Sequence, residues 1–127
     1  MDKTIGNRRV IAVVPAYNER DNIVSTIEDL RSNAPGVDYV IVNDGSKDDT
    51  LSICREHGYN VIDLPVNLGL AGAFQTGMRY AYEHGYDYAI QFDADGQHSA
   101  AYIYEMIRVA EAKDANIVIG SRFATQK

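Results

Sequence analysis

The chain has 127 residues, enough for one domain with a single core, and a formal net charge of −6. This acidic balance argues against a sequence-independent nucleic-acid binder, which needs a basic face to displace counterions from phosphates. The single cysteine, Cys54, excludes an intramolecular disulfide framework, and we expect it to be a buried apolar residue in a reducing compartment.

The sequence contains no obvious targeting or membrane-spanning segment. The first ten residues (MDKTIGNRRV) lack an apolar run of signal-peptide length. No later run approaches the roughly eighteen apolar residues needed to cross a bilayer. We therefore expect a cytoplasmic domain, with any membrane segment lying beyond Lys127.

Short apolar runs rich in Val and Ile alternate with segments of helical period along the chain. The runs predict five strands, at residues 10–14 (VIAVV), 39–43 (YVIVN), 60–64 (NVIDL), 88–92 (YAIQF) and 117–120 (IVIG). The intervening segments predict four helices, at residues 22–31, 49–56, 71–84 and 101–112. Asp48 or Asp49 can cap the second helix, while Gly58 and Gly85 can end the second and third.

This alternation predicts an α/β fold with an open, mostly parallel, twisted sheet and helices on both faces, because parallel neighbours require crossover connections. In such sheets, ligands bind beyond the carboxyl ends of the strands, where the strand order reverses. If the order is 3-2-1-4, this crevice lies between the first and fourth strands. Residues 15–19 (PAYNE) and 93–97 (DADGQ) would then face each other across it.

Two aspartates one residue apart, Asp93 and Asp95, follow the fourth predicted strand. Like charges this close repel each other unless a cation or water compensates them. On an extended backbone the two side chains can reach one hard cation, and oxygen ligands favour Mg²⁺ or Mn²⁺ over zinc. A pyrophosphate would complete the coordination. The alternative is a polar turn, because Asp-Gly is common in turns.

A second acidic stretch, VNDGSKDDT, follows the second predicted strand. Asp44 could accept a hydrogen bond from the N–H edge of a nucleobase, and Gly45 could let the backbone approach that ligand closely. Alternatively, the stretch is only a strand-to-helix turn. Glu19 also has two interpretations: a hydrogen bond to ribose hydroxyls, or a first-turn acid favoured by the helix dipole.

Three glycines, Gly69, Gly72 and Gly77, occur in NLGLAGAFQTGM. They do not form GxGxxG and they follow the third predicted strand rather than the first, so we reject a nicotinamide or flavin site. We interpret them as close packing around a helix start, with Asn67 holding the preceding loop.

Together, the segments VVPAYNE, VNDGSKDDT, NLGLAGAFQTG, FDADGQH and IVIGSRF resemble the family 2 glycosyltransferases of GT-A fold. The similarity is strongest to the polyprenyl-phosphate branch that includes dolichol-phosphate mannose synthases, and it extends over residues 10–123. The resemblance implies an inverting transferase that uses Mg²⁺ or Mn²⁺. It would move a sugar from a nucleoside diphosphate sugar to a polyprenyl phosphate or glycan acceptor.

The resemblance also implies that residues 1–127 are one nucleotide-sugar-binding domain, truncated at its carboxyl end before the acceptor side. The longer protein would associate peripherally with the inner face of the membrane, and the fragment alone would lack turnover. Apolar surface left uncovered by the truncation would allow a homo-oligomer.

Donor recognition is implied at four positions. By the resemblance, Asp44 would recognise the base, and Pro15, Tyr17 and Glu19 would line the nucleoside pocket. Asn43 stands where the family more often has a second aspartate, which leaves base recognition to Asp44.

The resemblance further implies that Asp93 and Asp95 form the DxD motif. Asp95 would be the direct metal ligand, Asp93 would contact ribose or metal-bound water, and Gln97 could add a third metal ligand. Arg122 would meet a phosphate, that of the acceptor. A phosphate acceptor is already anionic and needs positioning rather than a general base; we interpret His98 as structural or solvated.

Two alternatives belong to other classes. FDADG also resembles the motif of haloacid-dehalogenase-type phosphatases, but that family has it on the first strand, with Thr or Val after the glycine where this chain has Gln97. The second alternative is a nucleotide-binding or assembly module without turnover.

Overall fold

The structure is a computed structural model that describes residues 4–5, 8–94, 103–112 and 117–118. Its strands are β1 (Thr4–Ile5), β2 (Arg8–Ala16), β3 (Asp38–Asp44), β4 (Val61–Leu64), β5 (Tyr88–Gln91) and β6 (Ile117–Val118). Its helices are α1 (Ile23–Asn33), α2 (Thr50–Glu56), α3 (Gly69–Glu83) and α4 (Ile103–Ala112). All nine predicted elements are present, and β1, too short to leave an apolar pattern, is the one addition among the described residues.

The sheet has the order β4-β3-β2-β5-β6, with every neighbouring pair parallel. Strand β1 adds an antiparallel pair at the start of β2. The predicted α/β fold is therefore confirmed, and the 3-2-1-4 order on which the position of the crevice depended is the one observed. Because the strand order reverses between β2 and β5, the carboxyl ends of these two strands bound the crevice expected from the sequence.

Helices cover both faces of the sheet, as predicted. Side chains of α1, α2 and α4, including Ile27, Cys54 and Ile107, are buried in one apolar cluster with alternate residues of β2. Ile11 and Val13 of β2 pack in a second cluster with Ala73 of α3. Burial raises the pKa of the Cys54 thiol to about 11, which agrees with the expectation of a buried apolar residue.

Strand β2 continues through Pro15, whereas the sequence predicted its end at residue 14. Pro15 pairs with Val42 of β3. The carbonyl of Val13 accepts the N–H of Phe92, and pairing of β2 with β5 ends at Val13. The backbone N–H and C=O groups of residues two apart point to the same edge of a strand, so those of Pro15 point, like those of Val13, toward β5. Because β5 no longer pairs at Pro15, the N–H that proline lacks would have no partner there. The proline therefore costs no ladder hydrogen bond and forms one wall of the crevice.

Helices α2 and α3 end in the same way, in the EHGY segments 56–59 and 83–86. Gly58 and Gly85 have φ of 69° and 77°, and the N–H of the following Tyr59 or Tyr86 returns to a carbonyl in the last helical turn. These are Schellman ends, which require the left-handed conformation that glycine adopts readily. The prediction that both glycines terminate helices is confirmed.

Helix α3 packs on β2 at Gly77, where an added Cβ would lie 2.2 Å from Cγ1 of Val13. Close packing is therefore confirmed at this glycine. We expect Gly77→Ala to lower the free energy of unfolding by about 1–3 kcal/mol, because an extra methyl in a packed core forces its neighbours to shift. Urea denaturation measures this loss. Gln75→Ala, on the exposed face of the same helix, is a control expected to change stability by less than about 0.5 kcal/mol.

A double variant separates overpacking from an unrelated effect. Val13→Ala removes the methyl groups that the new Cβ would meet, so Gly77→Ala should cost less in that background than in the parent chain. Strictly additive losses for the two substitutions would contradict the packing explanation.

Candidate functional site

A cavity of about 370 Å³ opens where the carboxyl ends of β2, β3 and β5 meet. Five of the predicted site residues line it: Pro15, Tyr17, Glu19, Asp44 and Asp93. The remaining lining residues are Ala16, Asn67, Gly69, Leu70 and Ala94. The volume is within the range of small-molecule sites, and the position is the switch point of the sheet.

Asp44 ends β3 and is almost fully buried, with 4% of its surface exposed. Its Oδ1 accepts the N–H of Leu68 at 2.6 Å, and its main-chain carbonyl accepts Nδ2 of Asn67 at 3.0 Å. Within the described ranges, no hydrogen bond uses the second carboxylate oxygen, Oδ2. One oxygen therefore fixes the side chain, and the other can accept a hydrogen bond from a ligand.

Asn67 holds the loop between β4 and α3, as expected from the sequence. Besides its bond to Asp44, its Oδ1 accepts the N–H of Gly69 at 3.1 Å. Gly69 itself is not closely packed, because nothing lies within 4 Å of a Cβ added there. The close-packing interpretation is therefore wrong for Gly69, which contributes instead to the cavity wall.

Gly45 follows Asp44 with φ of 69°, and backbone atoms of the β4–α3 loop lie close to it. An added Cβ would lie 2.6 Å from the backbone N of Asn67 and 2.8 Å from the carbonyl carbon of Val66. From the sequence, a close approach to a ligand was one of two interpretations of this stretch, the other being a strand-to-helix turn. In the structure, the glycine instead lets the β4–α3 loop reach the end of β3.

Glu19 lines the cavity ahead of α1, which begins at Ile23 and has no acidic residue in its first turn. The interpretation of Glu19 as a first-turn acid is therefore wrong. Its main-chain carbonyl accepts the N–H groups of Asn22 and Ile23, and Oε1 accepts Nδ2 of Asn22 at 3.3 Å. The bond from Asn22 fixes the carboxylate of this cavity-lining residue, and its contact with ribose stays a prediction.

Asp93 lies just beyond β5 in the opposite wall, where its Oδ1 accepts Nε2 of Gln91 at 2.9 Å. Its predicted companions Asp95 and Gln97 lie outside the described residues, as do His98 and Arg122. Across the described ranges, no three His, Cys, Asp or Glu side chains are grouped so as to hold a metal.

Asn18 is a site-associated residue that was not predicted from the sequence. It adopts φ of 55°, and it bonds to three successive residues of the loop after β3. Its N–H donates to Oγ of Ser46 at 2.9 Å, and its Oδ1 accepts the N–H groups of Lys47 at 2.8 Å and Asp48 at 3.3 Å. The available signal was an asparagine in a turn directly after a strand, since asparagine tolerates the left-handed conformation.

Although Asp49 occupies the N-cap position of α2, its side chain makes no capping hydrogen bond, and the carboxylate that bonds to the start of the helix is that of Asp48. Its Oδ1 accepts the N–H and hydroxyl of Thr50, and its Oδ2 accepts the N–H of Arg20 at 3.4 Å. Burial raises the pKa of the Asp48 carboxyl, but the bonds from Thr50 and Arg20 outweigh burial and hold the pKa below its ordinary value. The carboxylate is therefore ionised in its capping role at neutral pH.

The described wall of the cavity has three carboxylates, those of Glu19, Asp44 and Asp93, and no Lys, Arg or His. A phosphate-bearing ligand would be repelled there without a cation. The donor atoms are oxygens only, which fits a hard divalent ion such as Mg²⁺ or Mn²⁺ and not zinc. Such ions use one or two protein carboxylates and take further ligands from phosphates and water, so a three-residue cage is not required.

No helix in the described part of the chain combines the length and apolar character needed to cross a bilayer.

Comparison with known proteins gives a consistent result. The family model described as Glycosyl transferase family 2 matches residues 11–127. An undecaprenyl-phosphate mannosyltransferase from Micrococcus luteus is 32% identical over 90% of this chain and 48% of its own length. A UDP-N-acetylglucosamine–dolichyl-phosphate N-acetylglucosaminyltransferase from Methanococcus voltae is also 32% identical, over 97% of this chain and 55% of its own. The chain thus spans about half the length of these relatives.

Among solved structures, a mannosyltransferase from Pyrobaculum calidifontis in complex with GDP-Man and Mn²⁺ aligns with a TM-score of 0.71. It is 22% identical, and the alignment covers 86% of this chain and 34% of that protein. This likeness confirms the predicted GT-A fold.

Proposed function

The chain belongs to glycosyl transferase family 2, and from this premise we propose that it binds a nucleoside diphosphate sugar and provides the donor side of an inverting, metal-dependent glycosyl transfer. Membership in this family counts against the phosphatase alternative. A polyprenyl phosphate is the proposed acceptor, supported by the undecaprenyl-phosphate and dolichyl-phosphate relatives. The proposed location is the cytoplasm, at the inner face of the membrane.

The observation that carries this proposal is the composition of the cavity at the switch point. Side chains from three separate strand ends meet there: Tyr17 and Glu19 after β2, Asp44 on β3, and Asp93 after β5. If these acids served only in turns, nothing would require them to lie in one cavity. A ligand with base, ribose and phosphate parts does require several polar groups in one cavity.

In the proposed complex, each part of the donor meets a different wall. Oδ2 of Asp44 accepts an N–H from the base, because Leu68 already engages Oδ1. Pro15 and Tyr17 flank the nucleoside, and Glu19 accepts hydrogen bonds from ribose hydroxyls. Desolvation of these groups inside the cavity strengthens each hydrogen bond relative to the same bond in water.

Asp93, Asp95 and Gln97 would hold Mg²⁺ or Mn²⁺ beside the diphosphate. A bound divalent cation supplies Lewis-acid stabilisation of the negative charge on the departing nucleoside diphosphate. The three carboxylates of the described lining support this assignment, since the described lining residues offer no positive charge for the phosphates.

Inversion places the acceptor on the face of the sugar opposite the diphosphate. An acceptor phosphate oxygen forms the new bond to the anomeric carbon, while the bond to the donor diphosphate breaks and its electron pair leaves with the nucleoside diphosphate. An anionic phosphate needs no deprotonation, so this side of the site has only to position it. Arg122 is the residue proposed for that task.

Calorimetric titration with UDP- and GDP-sugars in the presence of Mn²⁺ tests the proposal. We expect one nucleotide class to bind, and excess chelator to weaken that binding by about tenfold or more, equivalent to about 1.4 kcal/mol. Equal affinity with Mn²⁺ and with chelator would contradict metal-dependent donor binding. Donor binding without transfer or hydrolysis in the presence of a polyprenyl phosphate would favour a binding module.

Asp95→Asn tests the ligand assignment within the same experiment. It should remove most of the difference between the Mn²⁺ and chelator titrations. Glu56→Gln makes the same change in net charge on an exposed part of α2, and it should leave both titrations unchanged. If Asp95→Asn binds Mn²⁺ and donor as well as the parent chain does, the metal ligand lies elsewhere.

A further inference from the structure

We infer that Asn18 is a positioning residue that locks the loop after β2 onto the loop after β3, and so fixes Tyr17 and Glu19 relative to Asp44 before any donor binds. The inference rests on the proposed function, because it assigns a role to the walls of the donor cavity. Asn18 itself does not line that cavity, although both of its chain neighbours do.

The backbone of the loop after β2 donates the first set of hydrogen bonds between the two loops. Three successive N–H groups, those of Asn18, Glu19 and Arg20, donate to side-chain oxygens of Ser46, Thr50 and Asp48. Successive N–H groups that point the same way form a concave donor surface when one residue of the turn is left-handed. Here Asn18, with φ of 55°, is the left-handed residue, and the side-chain oxygens of the loop after β3 accept the hydrogen bonds that this donor surface offers.

The side chain of Asn18 accepts the second set of hydrogen bonds. Its Oδ1 accepts the N–H groups of both Lys47 and Asp48, so the second loop also donates two successive amides to one acceptor. These two bonds and the three donated by the backbone of residues 18–20 make five hydrogen bonds between segments 18–20 and 46–50. An exposed ion pair between Arg20 and Asp49, 3.7 Å apart, spans the same boundary.

Asparagine suits this position for two separate reasons. A left-handed conformation costs most residues about 1–2 kcal/mol, and asparagine tolerates it better because its short side chain bonds locally. Glycine would adopt the conformation at no cost but would lose the acceptor for Lys47 and Asp48. Aspartate would keep both properties. Comparing asparagine, glycine and aspartate at position 18 therefore separates the effect of the left-handed conformation from the effect of the hydrogen bonds.

Hydrogen exchange in the absence of ligand tests the lock directly. Asn18→Gly should speed exchange at the amides of Lys47 and Asp48 by about tenfold, because both lose their acceptor, while strand β3 keeps its protection. Asn18→Asp should leave these two amides protected. Asn33→Gly removes an exposed asparagine side-chain bond to Asp29 at the end of α1, and it should not alter exchange at either amide.

Titration with UDP and GDP in the presence of Mn²⁺ tests the consequence for the cavity. For whichever nucleotide binds the parent chain, Asn18→Gly should weaken binding about fivefold to tenfold, Asn18→Ala more, and Asn18→Asp by less than about threefold. The melting temperature should change no more in Asn18→Gly than in Asn33→Gly.

Two results would overturn the inference. One is unchanged exchange and unchanged affinity in Asn18→Gly. The other is a loss of affinity that comes with faster exchange throughout the sheet, which would show a general structural role. If the parent chain binds neither nucleotide, the proposed function fails, whereas the exchange at Lys47 and Asp48 still decides whether Asn18 couples the two loops.

Discussion

Asp44→Asn is expected to weaken nucleotide binding by about 10-fold to 100-fold while the fold stays intact. The substituted amide can keep its oxygen on the N–H of Leu68, where Oδ1 of Asp44 now accepts at 2.6 Å. Its NH₂ group then replaces Oδ2 and presents a donor where the proposed contact with the base requires an acceptor. A hydrogen bond to a charged group is worth about 1.5–3 kcal/mol, which corresponds to the stated range.

Asp44→Ala is the matched comparison, because it removes the anchor as well as the acceptor. We expect at least as large a loss of affinity, a smaller preference between UDP and GDP, and faster hydrogen exchange at Leu68. Asp44→Asn should keep Leu68 protected. Calorimetry and exchange on the two variants therefore separate base recognition from loop anchoring, and parent-like binding by Asp44→Asn would refute the assignment of Asp44 to the base.

The fold could be predicted because its determinants are local and repeated. Five apolar runs separated by helical segments predict a parallel sheet, and a parallel sheet brings the carboxyl ends of its strands to one edge. For that reason Glu19 and Asp93 could be placed at one crevice from the sequence, although they are far apart along the chain. Strand limits were less accurate: β2 passes through Pro15 because pairing with β5 has already stopped there.

The details of the site depend on contacts that the sequence pattern does not encode. The role of Asn18 depends on a left-handed turn that meets three residues of another loop. Glu19 could be mistaken for a helix-start acid because the sequence does not mark the first turn of α1. The sequence left a ligand contact and a simple turn open for Gly45, and it gave no sign that backbone of the β4–α3 loop packs against this glycine.

Gly45 and Gly58 form a matched pair for testing that backbone contact, because both have φ of 69°. A Cβ at Gly58 would have nothing within 4 Å, so Gly58→Ala incurs only the left-handed conformation. We expect it to lower the free energy of unfolding by about 1–2 kcal/mol. At Gly45 the same strain adds to overpacking of about 1–3 kcal/mol, so Gly45→Ala should cost about 2–5 kcal/mol in urea denaturation.

The atoms that Gly45→Ala would press on are backbone atoms of Val66 and Asn67, which cannot rotate away as a side chain could. The β4–α3 loop must therefore move, and the N–H of Leu68 moves with it away from the Asp44 carboxylate. Gly45→Ala should for this reason weaken nucleotide binding as well as stability, while Gly58→Ala should leave binding unchanged. Equal losses of stability in the two variants would show that conformation alone, and not the close approach of the loop, requires glycine after Asp44.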